Sequence, residues 1–403
     1  MPKRKLLMRI IHTADWHIGQ TFYTFSRAKE HEMFLEWLRN AIRERGTDLL
    51  LIAGDVFDTP NPSAEAQRML YRFLTQVTSE NKNLQIIITA GNHDSAARLE
   101  APSPLFNAFN IHVSGVVHYV HEEIDFERMI VPLNGGGCCL AVPYLRPGDY
   151  PESDTHSEGV AKMYSTLFNK AKEMNYSPII AMGHLQASGA KVSVGDSAEH
   201  AIIGGLDGID AGFACDGIAY TALGHLHKAQ RVSHRENIRY SGAPLPMSFA
   251  ESKNRQSVTE VIIEGGKCSI GEIHCPAPAS LIRVPETPQD LETVLREISQ
   301  LRDGETDDSS PYLQVRIKTD APNPDLRFQI DSALEGKAVR LANIEVTSSN
   351  DKSGSDEKQM TYDEFKQLKP INLMKDIFTK QTGHDLPENL EQLLNGIIEE
   401  AQL

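Results

Sequence analysis

The sequence predicts an α/β fold in which helices cover the faces of a sheet. Short apolar runs of four to seven residues recur through the first two-thirds of the chain, and each ends at glycine or a polar cluster. Such runs are typical of buried strands. Stretches with the 3.6-residue apolar period of a helix lie between them, and this alternation favours a sheet covered by helices.

The predicted elements follow in chain order. The strands are Met8–Ile11, Leu49–Ala53, Leu84–Ala90, Ile179–Met182 and Ile218–Leu223. The helices contain Phe34–Ile42, Ala66–Val77 and Val160–Ala171. A helix-start signal, Asn61-Pro62-Ser63, precedes the second helix. A glycine-rich turn precedes a hairpin strand at Cys138–Val142, and residues 228–275 are predicted to be strands joined by turns.

A change of composition near residues 276–278 divides the chain. We expect a first domain over residues 1–275, a small α+β domain over 279–347, and a polar linker over 348–360. Two amphipathic helices are predicted in residues 361–403, and they have little remaining core to cover. They would therefore bind a partner or, alternatively, fold back on the small domain. That domain is predicted to run strand, helix, strand, strand at Leu281–Val284, Leu291–Leu301, Leu313–Ile317 and Ala342–Val346.

Composition excludes several classes of protein. The formal charge of −15, more than half of it in residues 301–403, argues against a wholly basic nucleic-acid binder. Local basic patches and bound cations can still hold DNA. Five irregularly spaced cysteines predict reduced thiols rather than disulfides or structural zinc. No apolar run is long enough to cross a bilayer, and the basic first residues lead into a strand rather than a signal sequence. We expect a cytoplasmic protein with no membrane contact.

Five short motifs carry the candidate chemistry, and each follows an apolar run. Because strand ends meet at one edge of a sheet, their Asp, Asn and His side chains should converge. Mixed oxygen and imidazole donors suit two divalent cations such as Mn²⁺, Fe²⁺ or Zn²⁺, and Asp55 is the natural bridge between them. The motifs are Asp15-Trp16-His17, Gly54-Asp55-Val56-Phe57-Asp58, Gly91-Asn92-His93-Asp94, Gly183-His184 and Gly224-His225-Leu226-His227.

The order of these motifs resembles the calcineurin-like metallophosphoesterase superfamily. Further stretches resemble the bacterial SbcD nuclease family: His12–Gln20, Ala53–Asp58, Gly91–Ser95, Gly224–Gln230 and Tyr240–Phe249. Ala243 departs from that family's pattern, where serine is expected. The resemblance implies a β-sandwich flanked by helices, a small capping domain, and C-terminal helices that bind the coiled coil of an SbcC-type ATPase. It also implies a homodimer.

The resemblance also implies roles for residues at the matching positions. His93 would be the general acid or transition-state donor, Asp94 would orient its ring, and Asp58 would orient a metal-binding histidine. One Mn²⁺ would be held by Asp15, His17, Asp55 and His227. The other would be held by Asp55, Asn92, His184 and His225.

The function implied is Mn²⁺-dependent exonuclease and endonuclease activity at double-strand DNA ends and hairpins, in repair, recombination and replication. Four basic residues near the last motif (Lys228, Arg231, Arg235 and Arg239) are candidates for backbone contact. Two alternatives stay open: a phosphodiesterase for small substrates, and a non-catalytic scaffold that holds an ATPase on DNA. The sequence leaves cleavage polarity and the physiological metal undecided.

Overall fold

Two six-stranded sheets pack face to face and form the centre of the chain's first 276 residues. The computed structural model describes residues 7–188, 190, 209–276, 278–319, 323–347, 387 and 390. The predicted linker and the body of the predicted C-terminal helices lie outside these residues. None of the helices in the described part of the chain combines the length and the hydropathy required to span a bilayer.

The first sheet has the order β16-β15-β1-β4-β5-β6, and the second has the order β13-β14-β12-β11-β10-β9. In the first sheet β1, β4, β5 and β6 are parallel, and in the second β14, β12, β11 and β10 are parallel. The strands of the first sheet are β1 Leu7–Thr13, β4 Leu49–Ala53, β5 Gln85–Thr89, β6 Ile111–Ser114, β15 Ser257–Glu264 and β16 Lys267–His274. Those of the second are β9 Ile130–Pro132, β10 Cys138–Ala141, β11 Ile179–His184, β12 Tyr220–Gly224, β13 Gln230–Val232 and β14 Arg235–Tyr240. Two small hairpins pair β2 Thr21–Phe22 with β3 Phe25–Ser26, and β7 Tyr119–Val120 with β8 Glu123–Ile124.

Helices cover the outer faces of both sheets, as the alternation of elements predicts. The central strands β4, β5, β11 and β12 are buried on both sides, so their successive side chains enter different cores. Ile10 and Ile180 face each other between the sheets, whereas Ile11 packs under α1 and α2, and Ala181 packs under α5. The helices of this region are α1 Ala28–Arg45, α2 Ala64–Glu80, α3 Ala96–Glu100, α4 Ser103–Phe106 and α5 His156–Glu173.

Ser63 begins α2 as predicted, because its side chain accepts a hydrogen bond from the backbone N of Ala66 at 3.1 Å. The predicted strands and helices of this region are all present. The predicted hairpin strand at Cys138–Val142 also pairs with its upstream neighbour β9, but it runs parallel to β11 on its other side. That second pairing was not predicted.

Residues 281–347 form a separate three-stranded sheet with the order β17-β18-β19. The predicted run of strand, helix, strand, strand is wrong in one respect, because a second helix precedes the last strand. All three strands are parallel, and a parallel connection needs a crossover, which is usually a helix. The elements are β17 Leu281–Gln289, α6 Leu291–Ser299, β18 Tyr312–Lys318, α7 Leu326–Ala333 and β19 Arg340–Thr347.

A buried ionic group joins this small sheet to α1. The guanidinium of Arg27, which is fully buried, donates to Glu30 Oε2 from Nε at 3.1 Å and from Nη2 at 2.7 Å. The hydroxyl of Tyr312, from β18, donates to Glu30 Oε1, and the guanidinium of Arg340, from β19, lies over the Tyr312 ring. Arg27 also donates to the carbonyl of Pro246 at 2.6 Å. We call the side chains of Arg27, Glu30, Tyr312 and Arg340 the Glu30 anchor.

The Glu30 anchor should contribute strongly to stability. In Glu30→Gln, Arg27 would remain buried without its counter-charge, and breaking a buried ion pair in this way costs about 3–5 kcal/mol. We expect the thermal midpoint to fall by about 10 °C in calorimetry. The control is Glu32→Gln in the same helix, because Glu32 is exposed and its pair with Lys29 is worth about 0–1 kcal/mol. Equal losses in the two variants would contradict this role.

Candidate metal centre

The seven predicted metal ligands lie together at one edge of the sandwich, where the parallel strands of both sheets end. Donor atoms of Asp15, His17 and His227 lie within 4.8 Å of one another, and so do donor atoms of Asp15, Asp55 and His184. The first sheet supplies its ligands from the ends of β1, β4 and β5. The second supplies His184, His225 and His227 from the ends of β11 and β12. The site therefore requires both sheets.

Asn92 and Asp55 connect the individual ligands. The amide oxygen of Asn92 lies 2.9 Å from His184 Nε2 and 3.2 Å from His225 Nδ1. One carboxylate oxygen of Asp55, Oδ2, lies 3.2 Å from His184 Nε2 and 3.7 Å from His17 Nε2. Asp55 thus stands between the two groups of ligands, in the position that a bridging carboxylate requires.

The backbone at the site is held in an unfavourable conformation. Asp15, His17, Asp55 and His225 have φ values of 53°, 47°, 48° and 105°, a left-handed region that costs non-glycine residues about 1–3 kcal/mol each. Hydrogen bonds fix these turns, because the backbone N of Asp15 donates to Gly54 O at 3.1 Å and that of His17 donates to Asp55 O at 3.0 Å. Strain of this kind clusters at functional sites, where the surrounding structure maintains it.

Gly224 allows the two sheets to approach at this point. A Cβ atom on Gly224 would lie 1.8 Å from the carbonyl oxygen of Ala53 and 2.8 Å from His184 Nδ1. The same carbonyl accepts a hydrogen bond from His184 Nδ1 at 2.9 Å. Since a carbonyl cannot donate, this bond leaves the lone pair of neutral His184 on Nε2, which faces Asn92 and Asp55.

Burial and neighbouring charges shift the titration of the site. Burial raises the pKa of Asp15. Burial also acts to raise the pKa of Asp55, but His184 and His17 overcome this and lower it. Burial acts to lower the pKa of His184, and the carboxylate of Asp55 overcomes this and raises it to about 9. Burial and the charge of His184 lower the pKa of His225 to about 3.

The donor set fits bound cations. Within the described residues, Asp15 Oδ2 and His17 Nε2 are buried without a hydrogen-bond partner. A buried polar atom without a partner is costly, and two buried carboxylates in one cluster need positive charge beside them. Divalent cations would satisfy both requirements. Mixed carboxylate, amide and imidazole donors suit Mn²⁺, Fe²⁺ and Zn²⁺ alike.

The carboxylate of Asp94 forms its hydrogen bonds with backbone groups rather than with the ring of His93, so its predicted orienting role stays a prediction. Its carboxylate is buried and accepts three backbone N–H groups: Oδ2 accepts from Val56 at 3.1 Å and from Gly91 at 2.9 Å, and Oδ1 accepts from Phe57 at 2.9 Å. Asp94 therefore binds together the loops that carry Asp55 and Asn92. Burial and the charge of Asp55 nevertheless raise the pKa of Asp94 to about 6.

His93 is held by groups on the second motif. Its ring Nδ1 donates to the backbone carbonyl of Asp58 at 3.0 Å, and its backbone N donates to Asp55 Oδ1 at 2.8 Å. The ring is partly exposed and packs edge-on against that of His17, with centroids 4.9 Å apart. The carboxylate of Asp58 lies 3.3 Å from His17 Nδ1, where the sequence predicted an orienting group.

Glu251 was not predicted, because it belongs to none of the five motifs. Its buried carboxylate places Oε1 3.5 Å from His227 Nδ1, and its Oε2 accepts the backbone N–H of Met247 at 3.2 Å. Carboxylates commonly orient metal-binding histidines in this way. Glu251 lies in a stretch without apolar periodicity, so the sequence pattern gave no indication that its side chain is buried.

Comparison with known proteins agrees with this geometry. Residues 8–229 match the calcineurin-like phosphoesterase family, and residues 278–382 match a family described as the type 5 capsule protein repressor C-terminal domain. The chain is 35% identical over 357 residues to the SbcD subunit of nuclease SbcCD from Rhodobacter capsulatus, an alignment that covers 84% of this chain and 87% of the relative. It is 31% identical to the equivalent subunit from Escherichia coli K12 over 83% of this chain and 84% of the relative. The chain belongs to the SbcD nuclease family.

A third relative agrees with this membership. The SbcD subunit from Bacillus subtilis is 33% identical over 270 residues, 64% of this chain and 67% of the relative. An SbcD nuclease of the calcineurin-like class is a metal-dependent phosphodiesterase. The carboxylates, amide and imidazoles at the edge of the sandwich are the candidate metal ligands of this chain.

Asp94→Asn should disturb metal binding. An amide nitrogen cannot accept a hydrogen bond, so at least one of the three buried backbone N–H groups would lose its partner, at about 1–3 kcal/mol. We expect a lower thermal midpoint and about 10-fold weaker Mn²⁺ binding in calorimetric titration. Asp216→Asn, at a fully exposed site, is the control. Unchanged metal affinity with loss of cleavage alone would instead support a role for Asp94 in orienting His93.

Proposed function

We propose that this chain is the Mn²⁺-dependent DNA exonuclease and endonuclease subunit of an SbcCD-type complex, acting at double-strand ends and hairpins in DNA repair. The convergence of all seven ligand positions beside His93 carries the proposal. The names of its relatives, which describe subunits of a nuclease, support DNA as the substrate. A DNA substrate and five free cysteines also fit a cytoplasmic protein.

Each cation would have its own ligands and share Asp55. The distances of Asp55 Oδ2 to His184 and His17 support this assignment. One cation would be bound by Asp15, His17, Asp55 and His227, and the other by Asp55, Asn92, His184 and His225. We propose Mn²⁺ because the resemblance to SbcD nucleases implies it and the mixed oxygen and nitrogen donors accept it, whereas Mg²⁺ and Ca²⁺ favour oxygen alone.

When bound, the two cations would polarise the phosphodiester and acidify a water molecule aligned with phosphorus. The chain's own residues would orient the metal ligands and transfer the proton to the leaving oxygen. Asp58 restrains His17, the carbonyl of Ala53 fixes the tautomer of His184, and Glu251 lies against His227. Imidazoles fixed in this way keep their lone pairs directed into the site, so little rearrangement is needed during the reaction.

His93 would act on the substrate rather than on a cation. Its Nδ1 is engaged by the carbonyl of Asp58, so Nε2 is the atom available for a phosphate oxygen or a leaving oxygen. A protonated ring would donate to the oxygen that leaves phosphorus as the bond breaks. The hydrogen bond from the backbone N of His93 to Asp55 fixes the distance between this donor and the shared ligand.

We further propose that the chain forms a homodimer and binds an SbcC-type ATPase. The family membership supports both, and the described surface offers apolar side chains for the first. Leu105 and Phe109 are 71% and 54% exposed, beside the contact between Phe106 and Tyr71 of α2. Exposed apolar groups of this size, close together, often mark an interface.

The activity is tested with linear and hairpin DNA in the presence of Mn²⁺. The chain with its ATPase partner should cleave both, and His93→Gln should lower the cleavage rate by about 10²- to 10⁴-fold while Mn²⁺ affinity in titration stays unchanged. His274→Gln, at an exposed strand end, is the matched control and should keep full activity.

Two outcomes would count against this function. An inert wild-type chain, with metal bound and partner present, would remove DNA as the substrate. Rapid hydrolysis of a nucleotide diester without any activity on DNA would favour a phosphodiesterase for small substrates instead.

The partner is tested by co-purification. The full chain and a chain ending at residue 350 are each expressed with an SbcC-type ATPase from the same organism. We expect only the full chain to retain the ATPase, because the amphipathic stretches after residue 360 would supply the apolar contacts. Both chains should hydrolyse bis(p-nitrophenyl) phosphate equally, which controls for folding. Retention of the ATPase by the shorter chain would place its binding surface elsewhere.

A further inference from the structure

Tyr144 and Arg146 lie beyond the end of β10, a strand that supplies none of the seven ligands. β10 is parallel to β11, so its carboxyl end meets the same edge of the sheet that presents His184. The backbone N of Tyr144 donates to the carbonyl of Ala90 at 2.9 Å, and Ala90 directly precedes the loop that carries Asn92. The residues after β10 are therefore fixed beside the ligands.

The ring of Tyr144 borders the metal centre. It is partly buried and packs edge-on against the ring of His184, with centroids 6.2 Å apart and planes inclined at 77°.

The guanidinium of Arg146 lies over this ring, 5.4 Å from its centroid, and its side chain is exposed to solvent. No carboxylate of the described residues forms an ion pair with it, and Asp149 accepts from the backbone N of Arg146 rather than from its guanidinium. Three of the four basic residues that are candidates for DNA contact from the sequence differ from Arg146, because they are ion-paired. Their charges are already paired: Arg231 with Glu236, Arg235 with Asp216, and Arg239 with Glu272.

We propose that Tyr144 and Arg146 form a subsite for the DNA backbone, in which Arg146 binds a phosphate adjacent to the one cleaved. The proposal rests on the DNA substrate of the proposed function. A cation stacked on an aromatic ring is held in place at low entropic cost, and a planar guanidinium matches two phosphate oxygens. The ring face under Arg146 is occupied, so Tyr144 positions the cation rather than stacking on a base.

This subsite distinguishes a polymer from a small diester. A lone phosphodiester has no neighbouring phosphate, so it would react at the metal centre without reaching Arg146. A nucleic acid would contact both places at once. Arg146→Gln should therefore affect DNA alone, and it should act on all sequences alike because backbone contacts carry no base information.

The test measures binding and turnover on the full-length chain. Binding of a labelled DNA hairpin is followed by anisotropy between about 50 and 200 mM salt, in His93→Gln protein with Mn²⁺ so that the DNA stays intact. Adding Arg146→Gln should weaken binding about 10-fold and reduce the slope of log affinity against log salt by about one. In the otherwise wild-type chain, Arg146→Gln should raise KM for DNA with little change in kcat, and leave bis(p-nitrophenyl) phosphate hydrolysis unchanged.

Matched variants separate this role from general effects of charge and folding. Arg43→Gln removes an exposed arginine from the last turn of α1 and should change neither the salt slope nor KM. Tyr144→Phe keeps the ring and should keep the salt slope of the wild-type chain, whereas Tyr144→Leu should lose part of the affinity that Arg146 provides. In the Tyr144→Leu background, Arg146→Gln should therefore cost less than it costs alone.

Two results are decisive and distinguishable. If the wild-type chain cleaves DNA while Arg146→Gln leaves the salt slope and KM unchanged, the subsite is overturned and the proposed function stands. If the wild-type chain hydrolyses the small diester but neither binds nor cleaves DNA, the proposed function fails and the subsite with it.

Discussion

The burial of two carboxylates, Asp15 and Asp55, at one edge of the sandwich is the constraint on which the rest of the site depends. Two negative charges in a low-dielectric interior are unstable without positive charge and hydrogen-bond donors around them. The left-handed turns at both residues, the imidazole of His184 and the close approach of the sheets at Gly224 all bring such groups to them. A fold that supplies all of these at one place is already organised to bind cations.

The sequence predicted which polar residues converge, because one physical rule applied to all of them. A polar residue after a buried parallel strand lies at the ligand-binding edge, and this holds whichever sheet the strand joins. Tyr144 also follows a parallel strand. It was missed because β10 was predicted to be a hairpin strand, and the end of a hairpin strand is not expected at the ligand-binding edge. The contacts of Asp94 and Glu251 could not be predicted, since each depends on which distant backbone N–H or side chain lies opposite. In the small sheet, α7 was missed because strand direction, which demands a crossover, is not visible in an apolar pattern.

An acidic chain that acts on a polyanion must keep its negative charges away from the surface that binds the substrate. The negative excess lies mainly in residues 301–403, and the arginines of β13 and β14 are neutralised by nearby carboxylates. Against this background Arg146 differs, because the aromatic ring beneath it stabilises the cation without cancelling its charge. A substitution at Arg146 would then change the affinity for DNA without changing the chemistry at the metal centre.

The Glu30 anchor has a mechanical consequence. Tyr312 and Arg340 of the small sheet join Glu30 and Arg27, and Arg27 joins the carbonyl of Pro246. Residue 247 follows, bonded to Glu251, whose carboxylate lies against His227. A displacement of the small sheet would therefore pass through these partly buried contacts to Glu251, and so change the position of His227 at the candidate metal centre.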